Sequence, residues 1–167
     1  GDHLHDQTHT AEVTAIEFEQ SPGRGDERYT GDKSAFDVYV LFTGDNGEKG
    51  FIGIEVKYHE DLSDSPSDHK PRYDEVAEMM GCFAPEHLAK LQQKPLQQIW
   101  RDHLLAGAHK HVDGFDDGMF VLLYPEANEA CGKAPKGYGD CLACHQTYEA
   151  WTLEQFRAAL GLFTGAP

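Results

Sequence analysis

Apolar and polar residues alternate in two neighbouring stretches of the chain. The first, AFDVYVLF, occupies residues 35–42, and the second, FIGIEVKYH, occupies residues 51–59. A period of two is typical of β-strands, because successive side chains point to opposite faces of a sheet. The dipeptide Asn46-Gly47 between the two stretches is a strong hairpin-turn signal. We therefore predict a β-hairpin over residues 36–59.

The rest of the chain contains both strand and helix patterns. Residues 11–19 predict another strand, with Val13, Ala15 and Glu17 on one face, and the apolar run GMFVLLYP predicts a strand buried on both faces. Helical spacing occurs in four segments: 72–83, ending near Gly81; 85–92; 96–111, with Leu96, Ile99, Trp100, Leu104 and Ala108 on one side; and 148–163. Residues 126–147 are expected to form a loop. This order predicts an α/β fold with a mixed central sheet flanked by helices.

Composition limits the architecture to one globular domain. The 167 residues are 40% hydrophobic, which is enough to bury a core, and no run approaches the ~20 apolar residues of a membrane span. We expect a single domain over residues 11–167, preceded by a disordered or artificially added start over residues 1–10. Because no apolar run is long enough to span a membrane, we expect no membrane partner. Four cysteines are too few for a dense disulfide framework, which favours a cytoplasmic protein.

The net charge is strongly negative. Only 14 Lys and Arg residues accompany 29 Asp and Glu residues, giving a formal charge of −15. A nucleic-acid-binding protein usually carries a basic patch. Any role with nucleic acid therefore requires a locally basic cleft or bound metal ions.

The polar face of the predicted hairpin carries the candidate chemistry. Glu55 and Lys57 lie on one face of the second strand, and the hairpin can bring Asp37 beside them. Two facing carboxylates repel each other unless a divalent cation lies between them, and carboxylate oxygens suit Mg²⁺. The alternative is a solvated surface cluster in which both acids pair with Lys57.

The same residues resemble a known family. Asp37, an intervening hairpin and Ile54-Glu55-Val56-Lys57 are similar to the D…(D/E)-x-K signature of the PD-(D/E)XK nuclease superfamily. The segments RYTGDKSAFDVYV, GFIGIEVKYHEDL and PLQQIWRDHLL resemble a bacterial group described only as PD-(D/E)XK nuclease-like or restriction-endonuclease-like proteins. Phe36 stands where the signature has proline.

This resemblance implies a restriction-endonuclease-like fold and Mg²⁺- or Mn²⁺-dependent hydrolysis of phosphodiester bonds. Asp37 and Glu55 would hold the metal, and Lys57 would be the catalytic lysine. The implied partner is nucleic acid, DNA before RNA, in defence or repair, and a homodimer stays open. The alternatives are a catalytically inactive nuclease-fold module for binding or regulation, and a protein-interaction domain.

Further polar residues are candidates for supporting roles. In related branches a glutamine on the helix after the E-x-K strand supports the site, which implies Gln98 or Gln97 here. Arg101 is a candidate phosphate contact, although an exposed helix face with ordinary ion pairs is equally compatible with the pattern. The resemblance also implies a helix ahead of the first strand, which often supplies a further acidic residue. That helix is not visible here, and Glu17 or Glu19 could take its role or be a solvated strand-end charge.

The cysteine-containing stretch offers a second metal hypothesis. Cys131, Cys141, Cys144 and His145 are four candidate zinc ligands close together in the chain. The adjacency of Cys144 and His145 is awkward for one tetrahedral centre. Free thiols or a disulfide are the alternatives.

Overall fold

The computed structural model describes residues 11–58 and 68–164 of the chain. Within these residues, five strands form one sheet: β1 (Ala11–Gln20), β2 (Phe36–Gly44), β3 (Lys49–Val56), β4 (Asp117–Tyr124) and β5 (Tyr148–Thr152). The same residues form five helices: α1 (Pro71–Met80), α2 (Leu88–Leu91), α3 (Gln97–Asp113), α4 (Glu129–Gly139) and α5 (Leu153–Thr164). None of these helices has the length and apolar character needed to cross a membrane.

The sheet is mixed, and its strands follow the order of the chain. The pairs β1–β2 and β2–β3 are antiparallel, whereas β3–β4 and β4–β5 are parallel. Parallel neighbours require a crossover connection. Helices α1, α2 and α3 lie in the crossover between β3 and β4, and α4 lies in the next one. The predicted hairpin is confirmed as β2–β3, with β3 ending at Val56; the expected last residue, His59, lies outside the described residues.

Helix α3 covers one face of the sheet and aligns its first turn with the carboxyl end of β3. The predicted apolar side of this helix is confirmed as buried: Leu96, Ile99, Trp100, Leu104 and Ala108. Gln98 at its start contacts Glu55, whereas the ring of His109 near its end lies 4.5 Å from that of Phe51. The helix therefore runs antiparallel to β3. In parallel sheets the carboxyl ends of the strands are the usual location of ligand sites.

The first strand differs from its prediction. A register shift interrupts the β1–β2 ladder between Val13 and Ala15, so simple alternation does not continue through this strand. Val13, Ile16 and Phe18 are more than half exposed. The reason is that β1 is an edge strand on which no described helix packs. Phe36, at the start of β2, also departs from strict alternation. Its ring stacks near that of Tyr39 on the face of the sheet that α3 covers, although three positions separate the two residues.

Two predictions for the C-terminal third are wrong. Residues 126–147 are not all loop, because α4 forms despite Pro135 and three glycines. The reason is that Ala134 and Tyr138, one turn apart, are buried, and their packing outweighs the weak helix propensity of the segment. Residues 148–163 are not one helix, because Tyr148–Thr152 pairs with β4 as a parallel strand.

Candidate active site

The hairpin places Asp37 beside Glu55. Val38 pairs with Ile54 and Tyr39 with Gly53, so continuing the antiparallel register by one residue puts Asp37 opposite Glu55. Oδ2 of Asp37 accepts a hydrogen bond of 2.7 Å from the backbone N–H of Val56. This bond holds the Asp37 carboxylate at the carboxyl end of β3, next to the Glu55 side chain.

Lys57 completes the group. The backbone N–H of Lys57 donates to the carbonyl of Leu123 at 2.8 Å, which extends the β3–β4 pairing one residue beyond Val56. Its Nζ lies 2.7 Å from Oε1 of Glu55, and the two side chains are only 12% and 11% exposed. Glu55 and Lys57 therefore form an enclosed pair with the half-buried Asp37 beside it, unlike a fully solvated surface cluster.

The enclosure changes the acid–base behaviour of the cluster. Burial raises the pKa of Glu55 above its ordinary value, and the nearby Asp37 carboxylate adds to this rise, while the ion pair with Lys57 opposes it. Burial alone would lower the pKa of Lys57, but its hydrogen bond and ion pair with Glu55 outweigh burial and raise it. Lys57 is therefore a cation at neutral pH and can act as a hydrogen-bond donor and a positive charge.

Helix α3 supplies two more polar groups to this cluster. Nε2 of Gln98 donates to Oε1 of Glu55 at 3.2 Å, whereas Gln97 is buried in the protein. Asp102 lies one helical turn after Gln98 and is only 6% exposed. Burial raises the pKa of Asp102 well above its ordinary value, and the charge of Glu55 adds to the rise. Asp102 was not a predicted site residue, although its i, i+4 spacing from Gln98 was a readable signal.

Arg101 points toward the loop between β1 and β2. Its NH2 group lies 3.3 Å from Oδ2 of Asp32 and donates to Oγ of Ser34 at 3.0 Å. Burial would raise the pKa of Asp32, but hydrogen bonds from the Ser34 backbone and Tyr73, with the charge of Arg101, lower it. Asp32 was also missed from sequence, because 69 residues separate it from Arg101.

The two candidate acids of β1 occupy different positions. Glu17 is exposed and pairs with Tyr39, two residues away from Asp37 along β2. Glu19 lies between residues that pair with Val38 and Phe36, which places it opposite Asp37. Glu19 has φ of 54°, a conformation that residues with side chains seldom adopt. By position, Glu19 is the nearer of the two to the Asp37–Glu55 pair.

The candidate zinc ligands do not converge in the described part of the chain. Cys141 is buried and its thiol donates to the Gly137 carbonyl at 3.2 Å, whereas Cys144 lines a cavity with Cys82 and His145 is exposed. The side chain of Cys131 lies outside the described residues. Among the cysteines that are described, none forms a disulfide.

The donor set at the hairpin fits a small divalent cation. Across residues 11–58 and 68–164, no group of three or more His, Cys, Asp and Glu residues is placed to hold a metal ion. Asp37 and Glu55 are a pair, and they offer two carboxylates. Mg²⁺ is usually bound by one or two carboxylates together with waters and substrate phosphates. The close approach of two acids, one with a raised pKa, is also the arrangement that a bound cation relieves.

Comparisons with known proteins identify one family. A family model described as the PD-(D/E)XK nuclease superfamily matches residues 2–165. No curated protein and no solved structure matches the chain. The five-stranded mixed sheet with flanking helices is consistent with the restriction-endonuclease-like fold of that superfamily.

Proposed function

Because the chain belongs to the PD-(D/E)XK nuclease superfamily, we propose that it is a Mg²⁺- or Mn²⁺-dependent nuclease that hydrolyses phosphodiester bonds in DNA. The observation that carries this proposal is the enclosed pair of Glu55 and Lys57 at the carboxyl end of β3, with the carboxylate of Asp37 beside it. A purely structural ion pair would not need a second carboxylate beside Glu55. Defence or repair is the setting that we propose for this activity.

Each residue of the cluster has a role that follows from its contacts. Asp37 and Glu55 would hold the divalent ion, which when bound supplies positive charge to the phosphate and lowers the pKa of a water molecule. The amide of Gln98 orients the Glu55 carboxylate through its hydrogen bond. Glu55 holds Lys57 in turn, so that its ammonium group lies at the same place as the two carboxylates.

Lys57 acts as a donor in this scheme. Its raised pKa keeps the Nζ atom protonated at neutral pH, so it can orient the attacking water and stabilise negative charge that develops on the phosphate. Electrostatic stabilisation and positioning account for most of what a protein contributes to phosphoryl transfer. The low exposure of Lys57 strengthens both effects, because little water screens its charge.

A cutting assay with matched variants tests the proposal. The purified chain is incubated with plasmid, single-stranded DNA and RNA of one sequence, with Mg²⁺, Mn²⁺ or EDTA. We expect cutting of DNA that needs the metal and is lost in Asp37→Asn and Glu55→Gln. Glu78→Gln is the control, because Glu78 is an exposed acid on α1, and it should cut at the wild-type rate.

The same assay separates the second candidate function. The net charge of −15 favours a module that keeps the nuclease fold for binding or regulation and does not cut. Failure of the wild-type chain to cut any substrate with either metal would favour that candidate. Cutting that persists equally in EDTA or in both acid variants would refute the assignment of Asp37 and Glu55.

A further inference from the structure

A polar cavity lies beside α3, close to the cluster of Asp37, Glu55 and Lys57. Its volume is about 470 Å³, and it lies between the β1–β2 loop, the start of α1 and α3. This volume is in the range of small-ligand pockets. The residues that define its chemistry are Gly31, Asp32, Lys33, Lys70, Tyr73 and Arg101.

The cavity is basic within an acidic protein. Lys33, Lys70 and Arg101 line it, against two acids, Asp32 and Asp68. The whole chain has about half as many basic as acidic residues, 14 against 29. An excess of cations in one concave place is therefore a local feature that composition does not explain, and it attracts an anion.

Two of the three cations of the cavity, Arg101 and Lys70, are held in place by the protein. Arg101 is anchored by Asp32 and Ser34, and Nζ of Lys70 donates to the carbonyl of Gly31. Asp32 in turn accepts a 2.7 Å hydrogen bond from the Tyr73 hydroxyl. A guanidinium group that is positioned in advance loses little entropy when it binds an oxyanion, and its planar fork matches phosphate.

The position of the cavity links it to the cluster. Arg101 follows Gln98 by three residues on α3, an axial rise of about 4.5 Å, and Gln98 contacts Glu55. Asp102, next to Arg101, is buried, and the charges of both Glu55 and Arg101 act on it. Gln98 and Arg101 are therefore neighbours on one face of α3, the first in contact with the cluster and the second in the lining of the cavity.

We propose that this cavity binds a phosphate group of the nucleic-acid strand, adjacent to the bond that is cut. The proposal rests on the proposed function for its choice of ligand. Two sources share this chemistry: a terminal phosphate monoester and an internal phosphodiester. Lys33, which is exposed at the rim, and Lys70 supply charge, while Arg101 supplies directed hydrogen bonds.

The test measures binding in EDTA, where no cutting occurs. Fluorescence anisotropy gives the affinity for three oligonucleotides of one sequence, with a 5′-phosphate, a 3′-phosphate or neither, over a range of salt concentrations. The variants are Lys33→Ala and the double variant Lys33→Ala/Lys70→Gln. Lys49→Ala is the control, because Lys49 is exposed at the opposite end of β3, about 26 Å from Lys57 along the strand.

We expect the double variant to bind more weakly and to reduce the slope of log affinity against log salt by about 1, because the cavity neutralises one phosphate and both substitutions remove positive charge from it. Lys33→Ala, which removes only one of these charges, should reduce the slope by a smaller amount. The control should match wild type. If wild type prefers one phosphorylated oligonucleotide and the double variant loses that preference, the cavity binds a terminal phosphate. If the double variant binds all three oligonucleotides more weakly by the same factor, the cavity binds an internal phosphodiester.

Two results would overturn the proposal: a double variant with wild-type affinity and slope, or a wild-type chain that binds none of the oligonucleotides. Thermal melting shows whether each variant is folded, and Lys33→Ala decides the matter if the double variant is not. If the wild-type chain cuts DNA with the metal and the cavity variants bind like wild type, the cavity proposal fails and the proposed function stands. Lysine-dependent binding without cutting refutes only the nuclease proposal.

Discussion

Replacing Lys57 with methionine should separate metal binding from catalysis. In the structure Nζ of Lys57 lies 2.7 Å from Oε1 of Glu55, and both side chains are nearly enclosed. Two unit charges at this separation attract each other by about 6 kcal/mol at an effective dielectric constant of roughly 20. Methionine is unbranched and flexible, so Lys57→Met removes this attraction with little change in packing.

The loss of the ammonium group leaves two carboxylates facing each other. Removing one partner of a buried ion pair costs about 3–5 kcal/mol, because the remaining charge is uncompensated. Glu55 can avoid part of this cost by taking up a proton, since its pKa is already raised. We therefore expect the metal-free variant to melt at a lower temperature than wild type, and to gain more stability from Mn²⁺ than wild type does.

Metal affinity and cutting should then change in opposite directions. The ammonium group no longer competes for Oε1 of Glu55, so Lys57→Met should bind Mn²⁺ at least as tightly as wild type. Cutting should fall by about 10²–10⁴-fold, because the donor that orients the water and stabilises the phosphate charge is gone. A residue with only a structural role would lower both quantities together.

Calorimetric titration with Mn²⁺, thermal melting with and without the metal, and single-turnover cutting measure these effects. Lys49→Met is the matched control, because it removes an exposed lysine from the other end of the same strand. A Mn²⁺ affinity more than about tenfold below wild type, equivalent to about 1.4 kcal/mol, would refute the competition between Lys57 and the metal. Cutting by Lys57→Met at the wild-type rate would refute its catalytic role.

Three further predictions concern stability. His103 is fully buried, which lowers its pKa to about 3, so between pH 6 and pH 3 the unfolded chain binds a proton that the folded chain does not. The free energy of unfolding should therefore fall by up to about 1.4 kcal/mol per pH unit as pH decreases from about 6 to 3. Urea denaturation should show a flatter pH profile for His103→Gln. Asp32→Asn should lower the free energy of unfolding by about 1–3 kcal/mol at pH 7, and the difference from wild type should shrink on acidification, because the lowered pKa of Asp32 gives stability that is lost as pH falls through it. Gly53→Ala should lower the free energy of unfolding by about 1–3 kcal/mol, since the added Cβ would lie 2.6 Å from the ring of Phe36. The Cβ added by Gly137→Ala meets no atom within 4 Å, so this variant should be neutral or stabilising in the same chemical denaturation.

The approach of Asp37 to Glu55 could be predicted because it depends on local structure. The turn at Asn46-Gly47 is the midpoint between the two acids, and Gly47 adopts the positive φ of 85° that its turn requires. Once the turn is placed, the antiparallel register follows from counting residues outward. Alternation then puts Lys57 on the face of Glu55. The whole core of the candidate site thus lies within one hairpin.

Two supporting residues, Asp32 and Asp102, could not be found in this way, because their contacts are distant in sequence. Asp32 and Arg101 are 69 residues apart, and no periodic pattern reports that a loop carboxylate will anchor a helix arginine. The burial of Asp102 depends on how α3 lies across the sheet. One signal was nevertheless present: Thr152 and Gln155 form a capping box, with reciprocal hydrogen bonds of 2.8 and 3.1 Å, which marks the start of α5 and leaves Tyr148–Thr152 free to be a strand.

The distribution of charge reconciles an acidic protein with a phosphate ligand. A net charge of −15 repels a polyanion at long range, so attraction to nucleic acid cannot come from the surface as a whole. Arg101 and Lys70 instead line one cavity beside α3, and Lys57 lies against Glu55. A divalent ion at Asp37 and Glu55 would cancel the charge of the two carboxylates and leave the charge of Lys57 in excess. Few phosphates would then be bound, so the salt dependence of binding should be shallow for wild type. For the same reason each lysine of the cavity accounts for a large share of that dependence, and its removal should be easier to measure here than in a protein with a broad basic surface.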